Sequence, residues 1–186
     1  MCGRYLFLTE RNQKLKELAE LARKQLPPDV YSKISLFEVT PGSFSFAGIY
    51  DPSKKKTVTR VMKWGFHLKN KLIINARSET CFSSPFFADS VPCVLMASSY
   101  YEWSADKVRY EFRTDDETFY LAGLCRKEEN EVHFVILTEE ANDITSEVHH
   151  RQPVIFTYEK AKAWCASGTP ALLLKDSVQN RYYSKA

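Results

Sequence analysis

The chain has 186 residues, 44% of them apolar and 26% charged, with a formal net charge of +3. That length and composition support a buried core within one globular domain, and so weak a basic balance permits a nucleic-acid partner without arguing for one. No apolar run approaches a membrane span, no signal peptide is expected, and the five cysteines, without CxxC or HxxxH company, indicate neither a disulfide framework nor a zinc site.

In chain order, Cys2 comes first. The side chain after Met1 is small, so cytosolic processing is expected to remove Met1 and leave Cys2 with an α-amine and a thiol on adjacent carbons. An α-amine titrates near ~7.7–8.0 and a lysine near ~10.4, so the terminal amine is the better nucleophile at neutral pH. It attacks an aldehyde to give a Schiff base, and the thiol then closes a five-membered thiazolidine on the same carbon. Position alone favours a plainer reading, an incidental residue on a frayed terminus.

Cys2 to Leu8 reads as a short strand. Thr9 is placed to N-cap a helix from about Glu10 to Gln25, with an apolar stripe of Leu15, Leu18, Ala22 and Leu26, and Pro27-Pro28 ends it. Leu36–Val39 and Phe44–Tyr50 look extended across a Pro41-Gly42 turn. Lys54, Lys55 and Lys56 sit at an exposed hairpin tip, with the return strand from Thr57 to Trp64. Leu72–Ile74 is a short strand ending on Asn75, and Ser83-Ser84-Pro85 opens a helical turn. Cys93 to Trp103 reads as one strong strand. Arg109–Arg113, Thr118–Leu124 and Val132–Thr138 continue an antiparallel series. Glu139 to Glu147 reads as a helix, Val154–Phe156 as a strand, and Thr157 N-caps a helix through about Ser167, closed by Gly168 and Pro170. The remaining cysteines, Cys81, Cys93, Cys125 and Cys165, read as buried or half-buried small hydrophobes in a reducing cytoplasm. The order predicts an α+β fold: a single domain over residues 1–186 with a curved, barrel-like antiparallel β-sheet flanked by helices.

Five stretches hold polar groups that packing does not explain. They are Met1-Cys2-Gly3-Arg4, Trp64-Gly65, Asn75-Ala76-Arg77-Ser78-Glu79-Thr80, Tyr100-Tyr101-Glu102-Trp103 and His149-His150-Arg151-Gln152-Pro153. In this order they resemble the SOS response-associated peptidase (SRAP) family, whose hallmarks are an initial MCGR, a WG dipeptide, NAR-x-E-T, Y-E-W and H-x-R-M-P. Three places depart from the pattern. Gln152 replaces methionine, Phe66-His67-Leu68 follows Trp64-Gly65 where L-I-P is commoner, and Val39-Thr40-Pro41-Gly42 replaces an N-x-A-P-T-like loop.

The resemblance implies recognition of abasic sites in single-stranded DNA and a covalent thiazolidine link to them through Cys2. An abasic deoxyribose supplies the aldehyde that the terminal cysteine requires. Lyase and autoproteolytic activities are implied beside it. Residue by residue, Cys2 would supply amine and thiol, Asn75 would orient the amine and sugar, and His149 would shuttle protons. Glu102, desolvated among aromatics, would have a raised pKa suited to proton transfer. Arg4, Arg77 and Arg151 would hold phosphates, and Trp64 and Trp103 would stack on bases. Each has a plainer reading: a strand-end turn for Asn75, a solvent-facing position for Glu102, a packing loop residue for His149, surface charges for the arginines and core aromatics for the tryptophans. No cofactor, metal or membrane is expected, and a monomer in the cytoplasm, nucleoid-associated if bacterial, is. Two other functions fit the same residues: a cysteine peptidase or amidohydrolase with Cys2 as nucleophile and His149 as base, and a non-covalent single-strand binding module.

Overall fold

A computed structural model of the chain describes residues 2–7, 12–167 and 170–186. It enters through a strand of two residues, β1 (Tyr5–Leu6), shorter than expected. Leu8, Thr9 and the proposed cap at Thr9 lie outside the described residues, as does Gly168. Asn12 caps α1 (Gln13–Gln25), its Oδ1 accepting from the Leu15 N–H at 3.2 Å. Leu15 and Ala22 of the apolar stripe are buried together with Ala19 beside it, Leu18 and Leu26 are partly buried, and Leu21 is exposed. Pro28 then stands in the first turn of a new short helix, α2 (Pro28–Tyr31), where its missing N–H costs nothing.

β2 (Glu38–Val39) and the hairpin of β3 (Phe44–Asp51) with β4 (Lys56–Trp64) follow as the pattern predicts. A small ribbon, β5 (Phe66–Leu68) and β6 (Lys71–Ile73), leads to β7 (Asn75–Arg77), and Pro85–Phe87 forms the expected helical turn as a single 3₁₀ turn. The long strand expected from Cys93 to Trp103 is two strands, β8 (Val91–Ala97) and β9 (Ser99–Trp103), in different sheets. Ser98 makes the switch, its N–H donating to Leu6 O at 2.9 Å and its Oγ to Phe7 O at 3.2 Å. β10 (Arg109–Arg113), β11 (Phe119–Glu128) and β12 (Glu131–Glu140) continue the series.

The helix expected from Glu139 to Glu147 shrinks to α3 (Asp143–Ser146). Glu139 and Glu140 are instead the end of β12, held there by pairing with β13 (Arg151–Pro153), so sheet hydrogen bonds override the helical charge pattern. β14 (Ile155–Phe156) and α4 (Tyr158–Ala166) match expectation, although Thr157 makes no side-chain cap bond. A final strand, β15 (Tyr182–Lys185), has no clear signature in its polar sequence.

One sheet runs β15-β10-β9-β1-β2. The other runs β13-β12-β4-β3-β8-β11-β14, and a further β11–β12 pairing brings it round on itself, ring-like but not a closed barrel. The fold is thus α+β with a curved sheet, as predicted, but the sheet is mixed. β12 pairs in parallel with β4 and β7, because the chain reaches it only after the excursion through β8 to β11. Alternation along the curved strands fills both faces. Phe134 packs with Tyr5, Trp64 and the Leu15 face of α1, while Val135 packs with Phe66, Phe156 and Trp164 of α4. Among the described residues no helix is long and apolar enough to cross a membrane.

Candidate active site

The switch at Ser98 carries β9 alongside the N-terminal segment. Tyr5 pairs with Tyr100, and the Tyr101 N–H donates to Arg4 O at 2.9 Å. Side chains on β9 alternate, which puts Tyr100 and Glu102 on one face and Tyr101 and Trp103 on the other. Glu102 is only 1% exposed, which rules out the solvent-facing reading. Burial pushes its carboxyl up to about 7, and the positive charge of the chain's amino terminus works against that rise. Cys2 is fully buried, with its Sγ 4.0 Å from Arg4 O. Burial, and then the neighbouring Glu102 charge, push its thiol far above the ordinary range, so the sulfur is held as a neutral thiol.

His149 follows α3 and is half-buried. Its Nδ1 faces both the Arg151 N–H at 3.0 Å and Arg151 O at 3.1 Å, which anchors the ring to the start of β13. Burial, and next the amino-terminal charge, lower its pKa, so the ring is neutral at neutral pH. His150 is exposed and stacks on His149, ring centroids 4.4 Å apart. Asn75 opens β7. Its Nδ2 donates weakly to Ile136 O at 3.4 Å, and its Oδ1 is buried with no hydrogen-bond partner among the described residues. The preceding residue, Ile74, accepts the Trp64 Nε1–H at 2.9 Å, and Trp64 packs against Tyr5 at 5.5 Å between ring centroids. Asn75 is thus tied through Trp64 to the strand that follows Cys2.

The residues expected on DNA separate into three kinds. Trp64 is fully buried between Tyr5 and Phe134, so it offers no face to a base; it braces the site instead. Arg151 is also buried, its guanidinium gripping both carboxylate oxygens of Glu79 at 2.7 and 2.9 Å and Thr138 O. It joins the last sequence block to the NARSET block, and a guanidinium engaged in this way is not presented to a phosphate. Arg77, by contrast, is exposed, two residues along β7 from Asn75 and on the same side of the strand. Arg4 and Trp103 are half-exposed on the outer face of β9. The Arg4 guanidinium lies 5.5 Å from the Trp103 ring centroid and pairs with Glu38 at 2.8 Å. Arg109, over Tyr101 at 4.7 Å, approaches the same Glu38 at 3.9 Å.

Two residues with roles here carry no sequence signal. Arg109 joins the outer patch only through the β9–β10 pairing. Arg181 has a fully buried side chain and donates to the Tyr100 hydroxyl at 3.1 Å and to Pro153 O at 3.0 Å, holding β9 and the last block together. Its position in a polar C-terminal stretch looks like an ordinary surface charge.

The family model described as SOS response associated peptidase (SRAP) matches residues 1–183. The chain belongs to the SRAP family. Among curated relatives, this SRAP chain is 29% identical to "Abasic site processing protein YoqW" of Bacillus subtilis (strain 168), over 88% of this chain and 80% of that protein. It is 26% identical to "Abasic site processing protein YedK" of Escherichia coli (strain K12), over 88% and 79%. Among solved structures, its fold is similar to a phage-related protein from Bordetella bronchiseptica, with a TM-score of 0.72 and 17% identity over 100% of this chain and 94% of that one. A protein from Bacteroides thetaiotaomicron has a TM-score of 0.73 and 19% identity over 99% and 91%.

Proposed function

We propose that this SRAP chain processes abasic sites in DNA, capturing them in single strands as a thiazolidine at Cys2 once Met1 is removed. Relatives named as abasic site processing proteins support the DNA substrate. The chemistry rests on one observation above all: Cys2 and Glu102 are both buried, near enough for the Glu102 charge to act on the thiol, and burial pushes the Glu102 carboxyl up to about 7. In the capture step the neutral α-amine adds to the sugar's C1′ aldehyde, and protonated Glu102 gives its proton to the departing hydroxyl, so that one water leaves and an iminium and the Glu102 carboxylate remain. The Cys2 sulfur then adds to that carbon. Its proton passes to Glu102, and the ring nitrogen is left neutral, so the whole sequence releases a single water. Glu102 also suits opening of the cyclic sugar to the aldehyde. His149, neutral, is placed to relay protons, and a β-elimination that cuts the strand would use the same residue. Asn75 would direct its unsatisfied oxygen at the amine.

DNA would lie over the open side, with phosphate on Arg77 and bases against Trp103, and Arg4 lending charge. Residues 1–186 act as one unit, a monomer in the cytoplasm. The peptidase reading, including self-cleavage, is weaker, because it needs a thiolate and Cys2 is held as a thiol. With Met1 in place the Cys2 nitrogen is tied up in a peptide bond, so capture by an α-amine requires trimming at Met1.

A denaturing gel with an abasic oligonucleotide tests the reading. Protein lacking Met1 is expected to give a shifted band that survives heat without reductant. Cys2→Ala, once processed, should give only a Schiff base trapped by borohydride, and protein retaining Met1 should give neither. A stable band of normal yield from the Met1-retaining form would defeat the mechanism, and binding without any covalent band would leave a non-covalent single-strand module.

A further inference from the structure

On the far side of Gly65 from Trp64, three elements bring together side chains that the abasic-site chemistry does not use. His67 stands on β5, Glu128 at the end of β11 and His133 on β12. One ligand atom from each lies within 4.8 Å of the others. The hairpin register explains the meeting. Glu128 pairs with Glu131 and Arg126 with His133, so all four project from one face, and His67 closes over them from the ribbon. His67, Glu128, Glu131 and His133 line a cleft of about 550 Å³ open to solvent.

We propose that His67, Glu128 and His133, with Glu131 at the rim, form a site for a divalent transition-metal ion of the zinc type. Two imidazoles and a carboxylate are the donor set such an ion takes, leaving a fourth position for Glu131 or water. The surroundings are arranged as they are around metal ligands. His133 Nδ1 donates to Gly65 O at 2.7 Å, with Glu128 Oε2 3.7 Å from the same nitrogen, which fixes the ring and its tautomer and leaves the lone pair on Nε2. Nε2 lies 3.7 Å from Glu131 Oε2. Arg126 holds Glu128 Oε1 at 2.7 and 3.0 Å, which orients the carboxylate and leaves Oε2 toward His67. Without metal, Glu128 Oε2 meets His67 Nδ1 at 2.9 Å; the ion takes the place of that shared proton. Lys63, paired with Glu131 at 3.3 Å, limits the site to modest affinity by its charge. His67 lies in the Phe66-His67-Leu68 stretch that departs from the commoner family pattern. The site escapes motif reading because His67 and Glu128 are 61 positions apart.

The test is titration of Zn²⁺ into the full chain carrying Cys2→Ala, which removes the terminal amine–thiol chelate. One saturable ion per chain is expected, with a rise in melting temperature. His67→Ala and Glu128→Gln should each weaken binding at least ~10-fold. His67 is exposed, so its variant folds, and melting without metal checks this. With Co²⁺, the visible spectrum should show nitrogen–oxygen ligation and no thiolate charge-transfer band. Absence of saturable binding, affinity in either variant equal to that of the Cys2→Ala parent, or a thiolate band would overturn the proposal.

Discussion

Glu102 is a carboxyl group on the inward face of a strand, and burial makes its charge costly. Its pKa rises from 4.5 to about 7, which sets a pH dependence with a definite sign. A raised carboxyl is protonated in the folded chain and ionised in the unfolded chain between those two values. Stability is therefore full below about 4.5, falls as pH rises toward 7 and levels off above it. The shift corresponds to a penalty on the order of 3 kcal/mol at pH 8. Glu102→Gln keeps the shape and removes the charge, so urea unfolding should show the variant gaining on the parent from pH 5 to pH 8. Loss of the proton acceptor should also slow crosslinking by on the order of 10²-fold and flatten its pH profile near 7, with DNA binding retained. Unchanged rates of formation and reversal across that range would remove Glu102 from the chemistry.

At the scale of elements, β9 and β13 each turn one sequence block toward another. The bidentate grip of Arg151 on Glu79 ties β13 to the turn after β7. Glu79 is 45% exposed, so solvent screens the pair; Arg151→Ala is expected to cost about 2 kcal/mol by chemical denaturation. Arg151→Lys should not restore it, since an ammonium cannot span both carboxylate oxygens. Arg77 on β7 and the outer face of β9 predict DNA behaviour instead. Arg77→Ala should weaken single-strand binding evenly across sequences and lower the salt slope by about 0.7, the value for one phosphate contact. Glu38 neutralises Arg4 and sits near Arg109, so Glu38→Gln should tighten binding and steepen that slope by up to about 0.7 for each arginine released. A slope unmoved by either substitution would mean the strand runs elsewhere.

Across the whole molecule, the C-terminal segment is part of the site's frame. Arg181 bonds to Tyr100 on β9, to Pro153 on β13 and to Val178 O, and lies 3.5 Å from Glu139. Removing it leaves a carboxylate and several carbonyls without their cation, so Arg181→Ala should destabilise the chain by about 3 kcal/mol. Because β9 carries Glu102, crosslinking at a temperature where the variant is still folded should also fall. Full activity in a folded Arg181→Ala protein would confine Arg181 to stability alone.

Local chemistry was enough to read much of this chain from its sequence. The β3–β4 hairpin follows from alternation and its lysine-rich tip, α1 from its 3.6-residue stripe, and the five motif blocks announce the family because each is short and contiguous. Tertiary structure alone decided the rest. Whether Trp64 and Arg151 face DNA or the interior depends on what packs over them, and sheet partners drawn from distant parts of the chain bury both. The strand from Cys93 broke at Ser98 because residues 6 and 7 offered it carbonyl acceptors in the other sheet. Glu139 and Glu140 joined β12 because β13 returned to pair with them. The N-terminal site, the Arg181 frame and the His67–Glu128–His133 cluster all join residues far apart in sequence. Spacing along the chain records periodicity within an element, and it carries no record of which elements the folded sheets bring side by side.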